Sequence, residues 1–318
     1  MSSGARIRLL VALVGLAAGV VAVAAVIVHA TRRTPAKPAA APPQNALASS
    51  RFPAPPKGAV VYARQAGSSL LALGVVPRRG ALLLQASVLG GQGNGVSGLR
   101  VGFSVRGERR VGTPCGPGCY RATIPLSEHP PAVSLAVVGR ATSISWRVDL
   151  PAVWPPPDGA AVLARAGRVW RSLRSLAYVE QLAFNSTVKT TSTWRVAAPD
   201  RLAYTVRGSG GGVVIGGRRW DRSTPRGHWV ESVQSGAITQ PVPFWASISN
   251  AHVLGTVTAS GHAAWLVSFF DRETPAWFEV TIEKRTGHTL ALRMFAAAHF
   301  MTDVYRSFDS ARPIVPPR

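Results

Sequence analysis

The chain has 318 residues, 36 Lys and Arg against 14 Asp and Glu, a formal net charge of +22, and 47% hydrophobic residues. That length holds two ordinary domains plus a targeting segment, and that apolar fraction excludes disorder throughout. Lys37, Lys57, Lys189 and Lys284 are the only lysines, so the excess is nearly all arginine, scattered in ones and twos as at Arg78-Arg79, Arg109-Arg110 and Arg218-Arg219. Without a run or stripe, the charge reads first as a solvated surface, next as attraction to an anionic membrane, and last as nucleic-acid binding.

From Leu9 to Val28 no residue is charged or strongly polar, and a helix over that stretch spans the ~30 Å hydrocarbon core. Residues 1–30 are therefore expected to form a single-pass membrane anchor. The competing reading is a cleaved secretory signal, since Val28-His29-Ala30 resembles a small-residue cleavage site. Arg6 and Arg8 before the run nearly balance Arg32, Arg33 and Lys37 after it, so charge alone does not orient the helix.

Residues 31–58 are rich in Pro and Ala and predict a semi-extended spacer. Over 59–151, seven short apolar runs recur between turn clusters: Val60 to Arg64, Leu70 to Val76, Leu82 to Val88, Leu99 to Val105, Tyr120 to Ile124, Ala132 to Val138 and Ile144 to Leu150. This spacing predicts an immunoglobulin-like β-sandwich. Cys115 and Cys119 are the only cysteines and lie in Pro114-Cys115-Gly116-Pro117-Gly118-Cys119. Two thiols alone do not complete a zinc site, and redox pairs usually have two intervening residues, so a hairpin disulfide is favoured. A disulfide puts the bulk of the chain outside the cytosol.

After Trp154-Pro155-Pro156-Pro157, Asp158 is placed to cap a helix from Gly159 to Tyr178 with one apolar face. Strands are expected over Thr187–Val196, Arg201–Arg207, Gly212–Trp220, His228–Ser232, Ala263–Phe270, Ala276–Glu283 and His288–Ala297. One helix followed by an antiparallel meander predicts, for 158–312, an α+β half-barrel whose curved sheet wraps the helix. The fold class is mainly β.

The strands Gly95-Val96-Ser97-Gly98-Leu99-Arg100-Val101-Gly102-Phe103 and Gly116-Pro117-Gly118-Cys119-Tyr120-Arg121-Ala122 resemble the small extracytoplasmic sandwich domains of the YtkA and FixH type. Ala198-Pro199-Asp200-Arg201-Leu202-Ala203-Tyr204, Val214 to Arg222, Trp277 to Gly287 and Leu292-Arg293-Met294 resemble the LolA/LppX superfamily of lipid and lipoprotein carriers over roughly residues 160 to 310. Together with Ala296-Ala297-Ala298-His299-Phe300-Met301, they also resemble the extracytoplasmic tails of actinobacterial CopC/CopD-type copper-resistance proteins. A single predicted membrane helix stands where those proteins have several, which argues against copper transport.

Strand alternation places Trp194 with Val196, Trp265 with Val267 and Phe269, Phe278 with Val280 and Ile282, and Leu290 with Leu292 and Met294 on single strand faces. Such faces either fill a closed core or line a cleft for an acyl chain. The expected lipid-binding residues are Trp194, Trp265, Phe269, Phe278, Leu290 and Met294, with Trp229 and Trp245 near a mobile mouth. Met294, His299 and Met301 offer thioethers and an imidazole that suit Cu(I), yet the sandwich holds only His129 where a CopC-type site needs a histidine cluster. No Gly-x-Ser-x-Gly elbow, P-loop or HExxH occurs. Asp271 with Glu273, and Glu279 with Glu283, read as surface ion pairs beside basic residues.

The expected function is non-catalytic binding of a lipid or lipoprotein acyl chain by a membrane-anchored extracytoplasmic protein, without a cofactor or nucleic acid. The alternatives are a copper-handling accessory working beside a membrane transporter and a structural envelope interaction module.

Overall fold

A computed structural model describes residues 52–126, 128–139, 143–185, 187–297 and 299–318. The expected anchor and most of the expected spacer lie outside these residues. Among the described helices, none is long and apolar enough to cross a membrane.

Two facing sheets make the N-terminal sandwich. One has the order β1 (Val60–Ala66), β2 (Ser69–Arg78), β3 (Ala81–Leu89), β7 (Cys119–Pro125), β6 (Thr113–Gly116). The other runs β5 (Glu108–Val111), β4 (Arg100–Val105), β8 (Ala132–Val138), β9 (Ser143–Asp149). Alternating side chains such as Leu71, Leu73 and Val75 of β2, Val101, Phe103 and Val105 of β4, and Val133, Leu135 and Val137 of β8 meet between the sheets. All seven expected strands are present. β5 and β6 are additional: β5 is exposed throughout, so it carries no apolar alternation to read. Cys115 and Cys119 are joined in the β6–β7 hairpin, with Cα atoms 5.0 Å apart.

The second half begins with α1 (Ala160–Ser172), shorter than its apolar period suggests. Its N-cap is Gly159 rather than Asp158, whose carboxylate instead accepts the Ala160 N–H at 2.8 Å. Leu173 turns extended, and Leu176 and Tyr178 belong to β10 (Ser175–Ala183). The helix therefore stops short of its expected end at Tyr178. Two antiparallel meanders follow. The first is β10, β11 (Lys189–Ala197), β12 (Arg201–Val206), β13 (Gly211–Ile215), β14 (Arg218–Arg222) and β15 (Val230–Val233). The second is β16 (Ser249–Ala259), β17 (His262–Asp271), β18 (Ala276–Glu283), β19 (Thr289–Ala296) and β20 (His299–Arg306). The first and last of these strands pair side by side, which fuses the meanders into one eleven-stranded sheet with β15 and β16 at its edges. The expected strand Gly212–Trp220 is two strands, split where Gly216 takes φ 56°.

The sheet wraps α1. Leu163, Ala166 and Trp170 on the buried face of the helix meet the concave face of the sheet. The convex face meets the sandwich through a second apolar layer, in which Phe270, Trp277, Phe295 and Phe300 pack with Val61, Leu70, Ala72 and Val76. Residues expected to be free spacer join this seam: Phe52 stacks on Trp277 at 5.5 Å, and the Ala54 carbonyl accepts the Gln85 amide at 3.0 Å.

Candidate functional site in the half-barrel interior

Strand register sorts the concave face into rows. In one, Tyr305, Tyr178, Trp194 and Tyr204 are successive cross-strand partners on β20, β10, β11 and β12. Their rings touch along the row, at 5.2 Å between Tyr178 and Tyr305, 5.9 Å between Tyr178 and Trp194, and 4.8 Å between Trp194 and Tyr204. The row continues at Gly212, where a Cβ would collide with the Tyr204 ring. In another row Leu182, Met301, Met294, Phe278 and Phe269 are successive partners.

Between them runs a row with a polar centre. Ser192, Glu180 and Asp303 are neighbours on β11, β10 and β20, followed by Leu292, Val280 and Val267. Asp303 is fully buried and Glu180 and Ser192 nearly so. The Tyr305 hydroxyl donates to Asp303 Oδ2 at 2.6 Å, while Oδ1 has no partner. Burial drives the Asp303 carboxyl well above its usual range, and neighbouring Glu180 adds to the rise. Burial lifts Glu180 from 4.5 to about 7; the Trp194 indole offsets part of this but makes no hydrogen bond of full geometry. Tyr178 and Tyr305 are likewise held neutral by burial and the adjoining carboxylates. The Trp170 indole N–H, also buried, has no acceptor among the described residues. The interior is thus an aromatic bowl around two acids whose proton affinity burial raises, and its orphaned polar atoms each represent roughly 1–3 kcal/mol of unrecovered desolvation.

The bowl is covered by α1 and by residues 234–248, the crossing between the meanders. Trp245 of this segment lies 6.1 Å from Trp170 and 5.7 Å from Phe269, and Phe244 lies 6.0 Å from Tyr178. Asp271, fully buried, fastens the cover by accepting the Ala246 N–H at 2.8 Å. It also accepts the Glu273 and Thr274 N–H groups, so the ion pair expected of Asp271 and Glu273 is replaced by a capped turn: a fully buried acid surrounded by N–H donors is satisfied without a counterion. Glu279 does pair with Arg293, at 3.3 Å. Glu283 is buried beside His262, at 3.2 Å.

Of the residues expected to line a cleft, Trp194, Phe269, Phe278, Met294 and Trp245 lie together in the packed interior. Trp245 meets Trp170 of the helix and Phe269, and Phe269 stacks on Phe278, so these faces are occupied by the protein's own side chains. Leu290 is buried at a bulge between β18 and β19. Trp265 packs on the margin with Lys284 Nζ 3.6 Å over its ring. Trp229 lies elsewhere, against the convex-side cluster of Ala203, Val213, Trp220 and Ile314. His299 and Met301 belong to strand β20, beyond the last strand expected from the sequence. Met301 is the register partner of Met294, and His299 lies on the same strand face, held neutral by burial with its pKa lowered to about 4. Among the described residues, no three His, Cys, Asp or Glu side chains are grouped to hold a metal. Neither Glu180 nor Asp303 falls on an element read from the sequence, because the expected helix ends at Tyr178 and the expected strands begin at Thr187 and end at Ala297.

No family model matches the chain, and no curated protein matches it. Solved structures similar to it include the lipoprotein LppX of Mycobacterium tuberculosis, at 10% identity over 49% of this chain and 97% of that one, TM-score 0.39. LprF from Mycobacterium bovis aligns at 9% identity over 49% and 95%, TM-score 0.37. A LolA superfamily protein from Nitrosomonas europaea aligns at 8% identity over 49% and 95%, TM-score 0.24. None of these three structures is of a YtkA, FixH or CopC/CopD protein.

Proposed function

We propose that this chain is a non-catalytic, extracytoplasmic binder of an apolar ligand, a lipid or a lipoprotein acyl chain, received on the concave face of the half-barrel. The observation that supports this reading is the contrast between a concave face of aromatic and aliphatic rows and its cover, one 13-residue helix and an irregular crossing segment. A guest replaces contacts that Phe244 and Trp245 make in the closed form. Each buried methylene of an acyl chain contributes ~0.8 kcal/mol, enough over a modest length to displace two aromatic side chains. The same reading places an N-terminal anchor in the membrane, with the disulfide-bearing domains outside.

Native mass spectrometry of the full chain released from membranes tests it. Co-purifying lipid, or uptake of lipid by delipidated protein, is the expected result; neither in wild type nor in Trp245→Ala sinks the reading. The cross-strand pair Met294 and Met301, with neutral His299 on the same face, keeps a copper reading in play. Anaerobic Cu(I) titration decides it, since a Met301→Leu variant that binds as wild type, or binding weaker than micromolar, removes it.

A further inference from the structure

A cleft of about 540 Å³ opens on the far side of the sheet from the bowl, lined by Trp220, Arg222, Arg226, His228, Trp229 and Glu231 together with the tail residues Pro317 and Arg318. Its floor is aromatic. The Arg222 guanidinium lies over the Trp229 ring at 4.7 Å, and its buried Nε has no acceptor among the described residues. Among the described residues, no acid pairs with Arg222 or Arg226. Glu231, the acid of the cleft, is already engaged: Arg218 Nη2 lies 2.7 Å from its Oε1, and the Trp220 indole N–H donates to its Oε2 at 3.0 Å. Two guanidinium groups are therefore left without a counter-charge around a concave, aromatic-floored space. A guanidinium fork fits the oxygens of a phosphate better than any neutral group.

The rim adds a second property. Val233 of edge strand β15, on the same strand face as Glu231, and Val315 of the tail are 85% and 63% exposed. Valine side chains beside an arginine cleft match a bilayer surface, where apolar groups enter the interface while cations meet the headgroups.

We propose that this cleft binds the phosphate of an anionic lipid headgroup, with Arg222 and Arg226 as its ligands and the exposed Val233 and Val315 resting in the interface. This site is separate from the bowl, and it stands or falls independently of the guest proposed there.

Hydrogen exchange of the full chain tests the assignment, in the presence of phosphatidylcholine vesicles with or without phosphatidylglycerol. The expected result is slowing of exchange over residues 218–233, roughly tenfold, only when phosphatidylglycerol is present. Arg222→Gln/Arg226→Gln should abolish this slowing, whereas Arg78→Gln/Arg79→Gln, which removes equal charge from a sandwich turn, should leave it intact. Arg226→Gln alone, at an exposed position, should weaken it and keeps the test valid if the double variant is unstable. Slowing by inorganic phosphate without phosphatidylglycerol would overturn the lipid assignment in favour of a free phosphoester. No slowing, or slowing that survives in the arginine variants, would overturn the site itself.

Discussion

At the scale of single residues, Glu180 and His299 oppose each other in pH. Glu180 titrates near 7 in the fold against 4.5 when free, so the folded protein holds the extra proton between those values. Its contribution is fully present below about 4.5 and is lost as pH rises to about 7, a change on the order of 3 kcal/mol. His299 does the reverse, since its pKa falls from 6.5 to about 4 in the fold. Its contribution is present above 6.5 and is lost as pH drops toward 4. Urea unfolding across pH should therefore show Glu180→Gln losing the decline toward neutrality while the rise from acid pH persists. An unchanged decline would assign the effect to Asp303 instead. Gly212→Ala is expected to cost about 1–3 kcal/mol, because the added methyl meets the Tyr204 ring, with the loss read as a lower denaturation midpoint.

At the scale of elements, the cover is the segment to perturb. Asp271→Ala leaves the Ala246, Glu273 and Thr274 N–H groups without their acceptor, a loss of about 1–3 kcal/mol. Exchange over residues 240–248 should quicken while β18 and β19 stay protected; uniform quickening would mean that the cover and sheet open together. These elements also show what could be read from residues alone. β17, β18 and β19 have long apolar alternation and their expected limits hold within a residue or two. β10 was hidden because Leu176 and Tyr178 prolong the helical period of α1, and β16 because Gly255 and a register shift break its alternation. Of the aromatic side chains of the bowl, Trp194, Phe269 and Phe278 were legible as strand faces, whereas Tyr178 reads as helix and Tyr305 lies beyond the last expected strand. The acid pair was not, because only the β10–β20 pairing, between the first and last strands of the sheet, brings Glu180 beside Asp303.

At the scale of the whole molecule, the two folded parts share an apolar seam rather than a flexible joint. Trp277, 2% exposed, sits in it between Phe52 and Phe270, at 5.5 and 4.9 Å. Trp277→Ala should cost about 3–5 kcal/mol, and calorimetry should show the single transition of wild type resolving into two. A single transition in the variant would indicate that the sandwich and half-barrel are coupled elsewhere.

Phe52 and Ala54 are inserted where the two bodies meet. Neither body can therefore rotate against the other without first extracting that aromatic plug from their common boundary. The arginine cleft and the bowl's cover thus hold one orientation to the sandwich, wedged by Phe52 within the wider seam of Phe270, Trp277, Phe295 and Phe300.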